Sequence, residues 1–200
     1  MVDSLAPAVV RPLLTGTFGC RVYRYAELCP STQRLLEADD EEGAIAVAEE
    51  QSEGRGRLGR SWQAPPRTSV LLSVLLRPDV DPARLPELSL VAGGAVAQGI
   101  GTVTGIEPAI KFPNDVLIDG RKVAGILAEA REGVVVLGIG VNVNQTSDQL
   151  PADADTQPTS LRIEAGEPVD RAQVLAAILE QLEAAYRSWT AGTTGTAVSG

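Results

Sequence analysis

The chain has 200 residues, of which 44% are hydrophobic and 22% charged, a composition typical of one globular domain. Its net charge of −9 argues against general binding to nucleic acid, because that function favours a basic surface. The absence of histidine excludes His-metal sites and Ser-His or Cys-His nucleophile pairs, and no apolar run is long enough to span a bilayer.

The N-terminal residues 1–18 contain prolines and show little periodicity, so we expect a leader that lies on the surface. They lack a basic start followed by a sustained apolar core, which makes them a poor secretion signal. Cys20 and Cys29 provide no disulfide framework, and their spacing matches no metal-binding motif. The expected location is therefore the cytoplasm.

The first half of the chain alternates between predicted strands and helices. Apolar residues at every second position indicate strands, and apolar residues three or four apart indicate helices. A run that is nearly all apolar indicates a central strand covered on both faces. In chain order, these patterns predict a strand at 21–28, a short helix capped by Ser31 and Thr32 and ending at Gly43, a strand at 44–50, a central strand at 68–76 and a buried helix at 85–101.

The second half predicts an antiparallel meander followed by one long helix. Asp119 and Gly120 form a strong hairpin signal, and Glu132 and Gly133 join the next pair of strands. Asp170 is expected to cap the most clearly amphipathic helix of the chain. The predicted elements are strands at 109–112, 116–118, 122–130 and 134–143, a polar loop at 145–158 and the helix at 170–189.

This order of elements predicts the α+β class, with a mixed, largely antiparallel β-sheet covered by helices. We expect a leader at 1–18, one folded domain at 19–190 and a flexible tail at 191–200. The meander leaves an edge strand that could pair two copies of the chain into a homodimer.

The segment 51–62, QSEGRGRLGRSW, is the most informative stretch, because Arg55, Arg57 and Arg60 are interleaved with glycines and Trp62 closes the run. Glycine lets backbone N–H groups approach a ligand, arginine binds phosphate or carboxylate, and tryptophan offers a flat face to a ring. A solvated basic loop is the alternative interpretation. The position between two apolar segments of an acidic chain favours a mobile lid over a ligand with a phosphate and a ring.

Two further motifs contain the lysines Lys111 and Lys122. In KFPND, at 111–115, Pro113 holds Lys111 and Asp115 close together on a bend, although a plain turn with an exposed ion pair also explains the pattern. In KVAGILAE, at 122–129, Lys122 opens an apolar strand. Its ammonium group is either aimed into a pocket or exposed at an edge.

Amides and hydroxyls supply the remaining candidates. In GIGVNVN, at 138–144, alternation puts Asn142 and Asn144 on one face of a strand. An amide there either hydrogen-bonds to the edge of a ligand ring or hydrogen-bonds to the backbone of a loop. The hydroxyls of Ser31 and Thr32 either cap a helix or hold polar atoms of a ligand.

Taken together, these motifs resemble those of biotin protein ligases. GRGRLGRSW after Gln51, KFPND, GRKVAGILAE and GIGVNVN occur in the order and spacing of that family, and the resemblance covers residues 21–190. It implies an enzyme that joins biotin to ATP, releases pyrophosphate and holds biotinyl-5′-AMP. The enzyme then passes biotin to one lysine of the biotin carboxyl carrier domain of a carboxylase. The resemblance implies no metal ligand from the chain, with Mg²⁺ arriving on the ATP phosphates.

The resemblance also implies which residues form the site. Its cations would offset the repulsion between two anions, the carboxylate and the α-phosphate. In the second step Asp115 is the candidate that helps the acceptor lysine lose its proton. The implied residues are, for biotin, Ser31, Thr32, Gln33, Gln51, Arg55, Gly56, Arg57, Lys122, Gly125 and Ile126; for ATP, Arg57, Trp62, Asn114, Lys122 and Asn142; and for catalysis, Lys122, Arg57, Arg55, Lys111 and Asp115.

The chain departs from the family pattern in several places. Gln33 stands where the family usually has asparagine, and Phe112 stands where it usually has tryptophan. The sequence has neither the N-terminal DNA-binding domain of bifunctional members nor the usual C-terminal β-barrel cap, so we expect no operon repression, and activity without the cap is in doubt. Two alternatives to a ligase of this type are a non-catalytic biotin-binding or regulatory module and a lipoate-type acyl ligase.

Overall fold

One mixed β-sheet forms the framework of the protein in a computed structural model, which describes residues 3–131, 133–152 and 154–192. Its strands are β1 (Tyr23–Cys29), β2 (Ile45–Gln51), β3 (Ser69–Leu76), β4 (Ala109–Lys111), β5 (Asp115–Ile118), β6 (Arg121–Arg131) and β7 (Val134–Asn142). They lie in the order β1-β2-β3-β7-β6-β5-β4, with β1 and β2 parallel and the other neighbours antiparallel. The predicted α+β class with a mixed, largely antiparallel sheet is confirmed.

Two long helices cover one face of the sheet. The helices are α1 (Pro7–Val10), α2 (Leu88–Thr104), α3 (Leu161–Ala165) and α4 (Arg171–Thr190), with short 3₁₀ turns at Arg11–Leu13, Thr32–Leu35, Arg57–Gly59, Pro82–Glu87 and Ser147–Gln149. Asp170 caps α4 as predicted, because its Oδ1 accepts hydrogen bonds from the backbone N–H groups of Ala172 and Gln173. Helices α2 and α4 pack against each other above the sheet.

Alternation along the central strands separates the core from the second face. On β3 and β7, alternate side chains such as Leu72, Val74 and Leu137 enter the core beneath the helices. The positions between them include small residues at the centre of the sheet, among them Ser73, Gly138 and Gly140, and larger ones such as Leu75 and Val136 toward one end. The second face of the sheet is therefore lined by small side chains at its centre, and the candidate site lies there.

Residues 1–18 are more deeply integrated than a surface leader. Leu5, Val10 and Phe18 are buried in the core, which corrects the expectation that this segment lies on the surface. The hydroxyl of Tyr23 donates to the backbone oxygen of Leu5, and burial raises the pKa of this phenol, which favours the protonated, donating form. Buried Arg171 pairs with Glu49 at 2.7 Å and with Asp3 at 2.8 Å. The hydrophobic and ionic contacts together tie the N-terminal segment to the sheet and α4.

The helix expected between Ser31 and Gly43 is wrong, since the chain forms only the 3₁₀ turn Thr32–Leu35. Leu36 is extended and buried in a small cluster at one end of the second face. The carboxylate of Asp40 accepts the backbone N–H of Glu37 at 2.8 Å, so a side chain replaces the helical acceptor. The apolar anchor and the local acceptor together explain the turn.

The meander agrees with its predicted hairpin signals. Asp119 and Gly120 both have positive φ angles, of 48° and 77°, as a two-residue hairpin turn requires. Gly133 also has a positive φ. No helix among the described residues is long and apolar enough to cross a membrane. The predicted tail at 191–200 lies outside the described residues from 193 onward.

Candidate active site

A cavity of about 430 Å³ opens on the second face of the sheet, between the 3₁₀ turn after β1, the Arg/Gly loop, and strands β5 to β7. All but one of the fifteen site residues predicted above line this cavity, although they come from four separate segments of the chain. The fourteen that meet there are Ser31, Thr32, Gln33, Gln51, Arg55, Gly56, Arg57, Trp62, Lys111, Asn114, Asp115, Lys122, Gly125 and Ile126.

The floor of the cavity is a pair of glycines on neighbouring strands. Gly125 of β6 lies opposite Gly140 of β7, and the indole of Trp62 lies against both. A Cβ atom built on Gly140 would approach Cε2 of Trp62 to 2.5 Å, a distance that real Cβ atoms do not reach. Glycine at this position therefore makes room for a flat ring on the sheet. The Nε1 of Trp62 is buried and has no hydrogen-bond partner among the described residues.

The Arg/Gly loop forms a lid, and each of its arginines contacts a different part of the rim. Arg55 hydrogen-bonds to Gln33 at 3.2 Å and forms an ion pair with Glu129. Arg57 donates to Oδ1 of Asn114 at 3.0 Å, and Arg60 pairs with Asp155 at 2.7 Å. These contacts place three guanidinium groups around the opening. The tip of the lid is Leu58, which has a left-handed backbone and is 86% exposed.

The two lysines of the cavity lie on the wall opposite the arginines. The Nζ of Lys122 is 2.6 Å from Oδ1 of Asp115, and both side chains are mostly buried. The same Nζ lies 5.8 Å from the ring centroid of Trp62, which permits a cation–π contact. Lys111 donates to Oγ1 of Thr156 at 3.0 Å. The KFPND and KVAGILAE motifs thus bring both lysines to one cavity, which favours the pocket interpretation of Lys122 over an exposed edge.

The corner that carries Asn114 and Asp115 is fixed to the neighbouring strand. The amide of Asn114 donates to the backbone oxygen of Ile126 at 3.0 Å, and the backbone N–H of Ile126 donates to the oxygen of Asn114 at 2.9 Å. The Phe112–Pro113 peptide bond is cis. Segment 157–159 pairs with the backbone of Lys122 on its other side. Asn114, Asp115 and Lys122 are therefore held on rigid backbone.

The polar end of the cavity is built from the 3₁₀ turn. The backbone N–H of Thr32 donates to Oε1 of Gln51 at 2.7 Å, and its hydroxyl lies 2.7 Å from the hydroxyl of Ser73. Ser31 makes no capping hydrogen bond from its side chain, so its predicted role as a helix cap is wrong. Buried hydroxyls and amides at one end of an otherwise apolar floor suit a ligand with several polar atoms at one end.

Asn142 is the one predicted site residue that does not line the cavity. Its Nδ2 donates to the backbone oxygen of Thr159, and its Oδ1 accepts from Nε2 of Gln145. Both ends of the amide form hydrogen bonds in the protein interior, which agrees with the alternative interpretation that this asparagine bonds to a loop. The position of Asn142 therefore does not support contact with adenine.

Other residues that line the cavity or lie beside it were not predicted. Glu129, the partner of Arg55, lies on the same face of β6 as Gly125, and the two-residue period of the strand could have identified it. Asp155 and Thr156 come from the polar loop at 145–158, where no local pattern points to the cavity. Cys29, at the end of β1, is buried, and burial raises the pKa of its thiol, which disfavours a reactive thiolate.

The charge of the cavity is opposite to that of the whole chain. Two carboxylates, Asp115 and Asp155, line it among the described residues. No group of three or more metal-binding side chains occurs in the described part of the chain. Against the chain's net charge of −9, five cations line the cavity: Arg55, Arg57, Arg60, Lys111 and Lys122. Such a site favours an anionic ligand. A metal ion in the site would arrive bound to that ligand.

The fold and the site define a domain with a cationic cavity between a glycine floor and an arginine-rich loop. The family model for the biotin/lipoate A/B protein ligase family matches residues 25–145, and the chain belongs to that family. This result agrees with the resemblance found in the sequence motifs.

Particular relatives are more specific. The chain is 41% identical over 174 residues to the bifunctional ligase/repressor BirA of Bacillus subtilis, which covers 82% of this chain and 54% of that protein. It is 40% identical over 160 residues to the biotin–[acetyl-CoA-carboxylase] ligase of Mycobacterium tuberculosis, with 78% of this chain and 59% of that protein covered. The chain thus spans little more than half the length of these relatives.

A solved structure shares the architecture. The biotin protein ligase from Aquifex aeolicus in complex with biotin and ATP superposes with a TM-score of 0.78 and 32% sequence identity. The match covers 86% of this chain and 72% of the other. The fold described above is therefore that of the catalytic region of biotin protein ligases.

Proposed function

We propose that residues 19–190 form the catalytic domain of a biotin protein ligase, which makes biotinyl-5′-AMP from biotin and ATP and transfers biotin to a lysine of a biotin carboxyl carrier domain. The observation that carries this proposal is the convergence of fourteen predicted residues on one cavity beneath a cationic lid. The similarity to ligases of Bacillus subtilis and Mycobacterium tuberculosis supports it.

The first step joins two anions. The carboxylate of biotin attacks the α-phosphorus of ATP, an O–P bond forms, and pyrophosphate leaves. No general base is needed, because a carboxylic acid is ionised at neutral pH. In this proposal Lys122 lies between the carboxylate and the α-phosphate, and Arg55, Arg57 and Lys111 stabilise charge on the phosphates. The polar end of the cavity, with Thr32 and Gln51, would receive the biotin ring system.

Mg²⁺ enters this proposal as part of the substrate MgATP. Of the two carboxylates that line the cavity, Asp115 is paired with Lys122 and Asp155 with Arg60. This donor set does not favour a metal held by protein ligands alone. Mg²⁺ bound to the phosphates would supply positive charge to the leaving group, and Asn114 and Asp115 would position the nucleotide.

In the second step the amine of the acceptor lysine attacks the acyl carbon of the adenylate, and AMP leaves. The amine must lose a proton, and Asp115 is our candidate for the group that helps. Its side chain is 19% exposed, whereas that of Asp155, the other carboxylate that lines the cavity, is 70% exposed and is paired with Arg60. The acceptor domain would approach the mouth of the cavity, where Leu58 and Phe112 are strongly exposed.

The proposal extends to the setting of the enzyme. We propose that it works in the cytoplasm and binds neither membranes nor nucleic acid, because the chain is strongly acidic outside the cavity. Strand β4 lies at the edge of the sheet with Ala109, Ile110 and Lys111 exposed, and could pair with a second copy. Sedimentation of the purified chain at several concentrations tests this homodimer.

Pyrophosphate release from MgATP distinguishes the enzyme from its alternatives. We expect release with biotin and none above background with lipoate or octanoate. Release with lipoate instead would establish a lipoate-type ligase. Biotin binding in a calorimeter without any pyrophosphate release would establish a non-catalytic binding module.

A further inference from the structure

We propose that Gln33 is a positioning residue that holds Arg55, and with it the lid, over the cavity. This inference rests on the proposed function but assigns Gln33 a role different from contact with biotin. The side chain of Gln33 is 4% exposed, and its amide lies between the sheet and the lid.

The orientation of the Gln33 amide is determined by its neighbours on the sheet. Its Nε2 donates to the backbone oxygens of Leu127 on β6 and Val136 on β7, each at 3.3 Å. A flipped amide would place its oxygen against two carbonyl oxygens, which have no proton to donate. Oε1 therefore points toward the lid, where it accepts a hydrogen bond from Nη2 of Arg55 at 3.2 Å.

The backbone of Gln33 is held as firmly as its side chain. Nη2 of Arg131 donates to the backbone oxygen of Gln33 at 3.0 Å, and the preceding residue, Thr32, is bonded to Gln51. Gly138 of β7 lies beneath the amide, and a Cβ there would approach Nε2 to 3.2 Å. Gln33 is thus a fixed acceptor that reaches up from the sheet to the Arg/Gly loop.

The second partner of Arg55 shows why a neutral acceptor is useful. Glu129 also pairs with Arg55, but its side chain is 35% exposed, and an exposed ion pair holds a loop weakly. Gln33 orients the guanidinium without cancelling its charge, which leaves that charge available to an anionic ligand. Asparagine would shorten the side chain by about 1.5 Å, so its amide could not bond to both the sheet carbonyls and Arg55.

Limited trypsin digestion measures the position of the lid, because trypsin cleaves after arginine and the lid contains Arg57 and Arg60. We expect Gln33→Asn to raise the rate of cleavage after these residues about 3–10-fold, the shift expected from loss of one hydrogen bond. Gln98→Asn, an exposed substitution on α2, is the matched control and should leave the rate unchanged.

A double substitution separates positioning from general stability. In an Arg55→Gln background, Gln33→Asn should no longer change cleavage after Arg57 and Arg60, because the contact is already lost. Thermal unfolding of the Gln33→Asn chain should show only the small loss expected for one hydrogen bond and one buried methylene, with the chain fully folded at the temperature of digestion. Equal acceleration in both backgrounds, or cleavage of Gln33→Asn at the wild-type rate, would overturn the proposal.

If Gln33→Asn does not fold, Arg55→Met removes the same hydrogen bond from the lid side, where the Arg55 side chain is 42% exposed, because methionine has no N–H donor. Faster cleavage after Arg57 and Arg60 supports the proposal, and an unchanged rate contradicts it. These digestions need no turnover, so a wild-type chain that releases no pyrophosphate rejects the proposed function alone.

Steady-state kinetics adds a readout that a structural role would not move. In biotin-dependent pyrophosphate release, Gln33→Asn should lower kcat/KM for biotin about 3–10-fold in the wild-type background and less than about twofold in the Arg55→Gln background, because Gln33 acts through Arg55. An equal fall in both backgrounds would overturn the positioning role.

Discussion

The indole of Trp62 lies flat on the cross-strand pair Gly125 and Gly140, and its ring is the only aromatic side chain of the lid. This contact exists because neither glycine carries a side chain at the centre of the sheet. At the scale of residues, the shape of the cavity thus depends as much on absent side chains as on the charged groups around it.

Gly140→Ala tests this contact. The new Cβ would lie 2.5 Å from the Trp62 ring, so we expect the ring to leave the floor and enter solvent. The chain has two tryptophans, and a Trp189→Phe background makes fluorescence report on Trp62 alone. Gly140→Ala should shift the emission to longer wavelength and increase quenching by iodide.

The control for this experiment is Gly94→Ala on α2, where the new Cβ meets only Ile110, at 3.9 Å. Its emission should equal that of the background chain. An unshifted spectrum for Gly140→Ala would mean that Trp62 does not lie on the glycine floor in solution.

Local pattern alone left the single residues open: Lys122 was either aimed into a pocket or exposed at an edge, and the Arg/Gly loop was either a lid or a solvated basic loop. The family resemblance of the motifs indicated which residues to expect in one site. The partners of these groups were not predicted, because contacts such as Arg57 with Asn114 and Arg60 with Asp155 join segments far apart in the chain. Asn142 was expected in the site, but its amide oxygen accepts a hydrogen bond from the nearby Gln145 in the interior instead.

At the scale of elements, the crossing of α2 and α4 determines how closely the helix layer packs on the sheet. Gly99 of α2 faces the backbone of Ile178 on α4, and a Cβ there would lie 2.8 Å from its backbone nitrogen. The backbone of α4 cannot rotate away as a side chain could, so any larger residue must separate the helices.

Gly99→Ala should therefore destabilise the protein by about 1–3 kcal/mol, although alanine is the better helix former. Urea unfolding followed by circular dichroism measures the change. Gly94→Ala in the same helix adds the same methyl group without a close contact and should be neutral or stabilising. A gain of stability in Gly99→Ala would show that the two helices are farther apart than described.

A second element-level contact joins α4 to the segment before β1. Burial alone would raise the pKa of Glu183. Hydrogen bonds from Thr17 and Phe18 and the charge of Arg187 outweigh burial, so the net pKa is lowered. A lowered pKa in the folded state means that the unfolded state takes up a proton more readily. The stability from Glu183 is present above its ordinary pKa and is lost as pH falls through the lowered value.

Glu183→Gln tests the sign of this effect. From about pH 7 to about pH 3, the free energy of unfolding of the wild type should fall more steeply than that of Glu183→Gln, so that the difference between them shrinks. Urea unfolding across this range measures both. Parallel curves would contradict the assigned role of Glu183.

Elements were predicted correctly where an apolar run or an apolar period was long and uninterrupted, as in β3, β7 and α4. The helix expected after Ser31 failed because Leu36 is drawn into a buried cluster and Asp40 supplies a local acceptor. The prediction of a surface leader at 1–18 failed because the burial of this segment depends on Glu49 and Arg171, which no local pattern connects to it.

At the scale of the molecule, the acidic chain brings five of its 17 lysines and arginines to one cavity. Both of its lysines, Lys111 and Lys122, line the cavity. Amine modification with acetic anhydride followed by peptide mapping therefore reads the site directly. We expect biotin with MgATP to slow modification of Lys122 at least about tenfold relative to the free protein, because the amine is then paired with anionic ligand groups. Modification at an unchanged rate would place the ligand elsewhere.

The central claim is that this cavity activates biotin and passes it to a protein lysine. The most direct test is the mass of a biotin carboxyl carrier domain incubated with the purified chain, biotin and MgATP. We predict that the carrier gains one biotin, that Lys122→Ala slows the gain about 10²–10³-fold, and that Arg162→Ala, an exposed cation on α3, does not. A carrier left unmodified by wild-type chain that binds biotin, or modified equally fast by Lys122→Ala, would contradict the account.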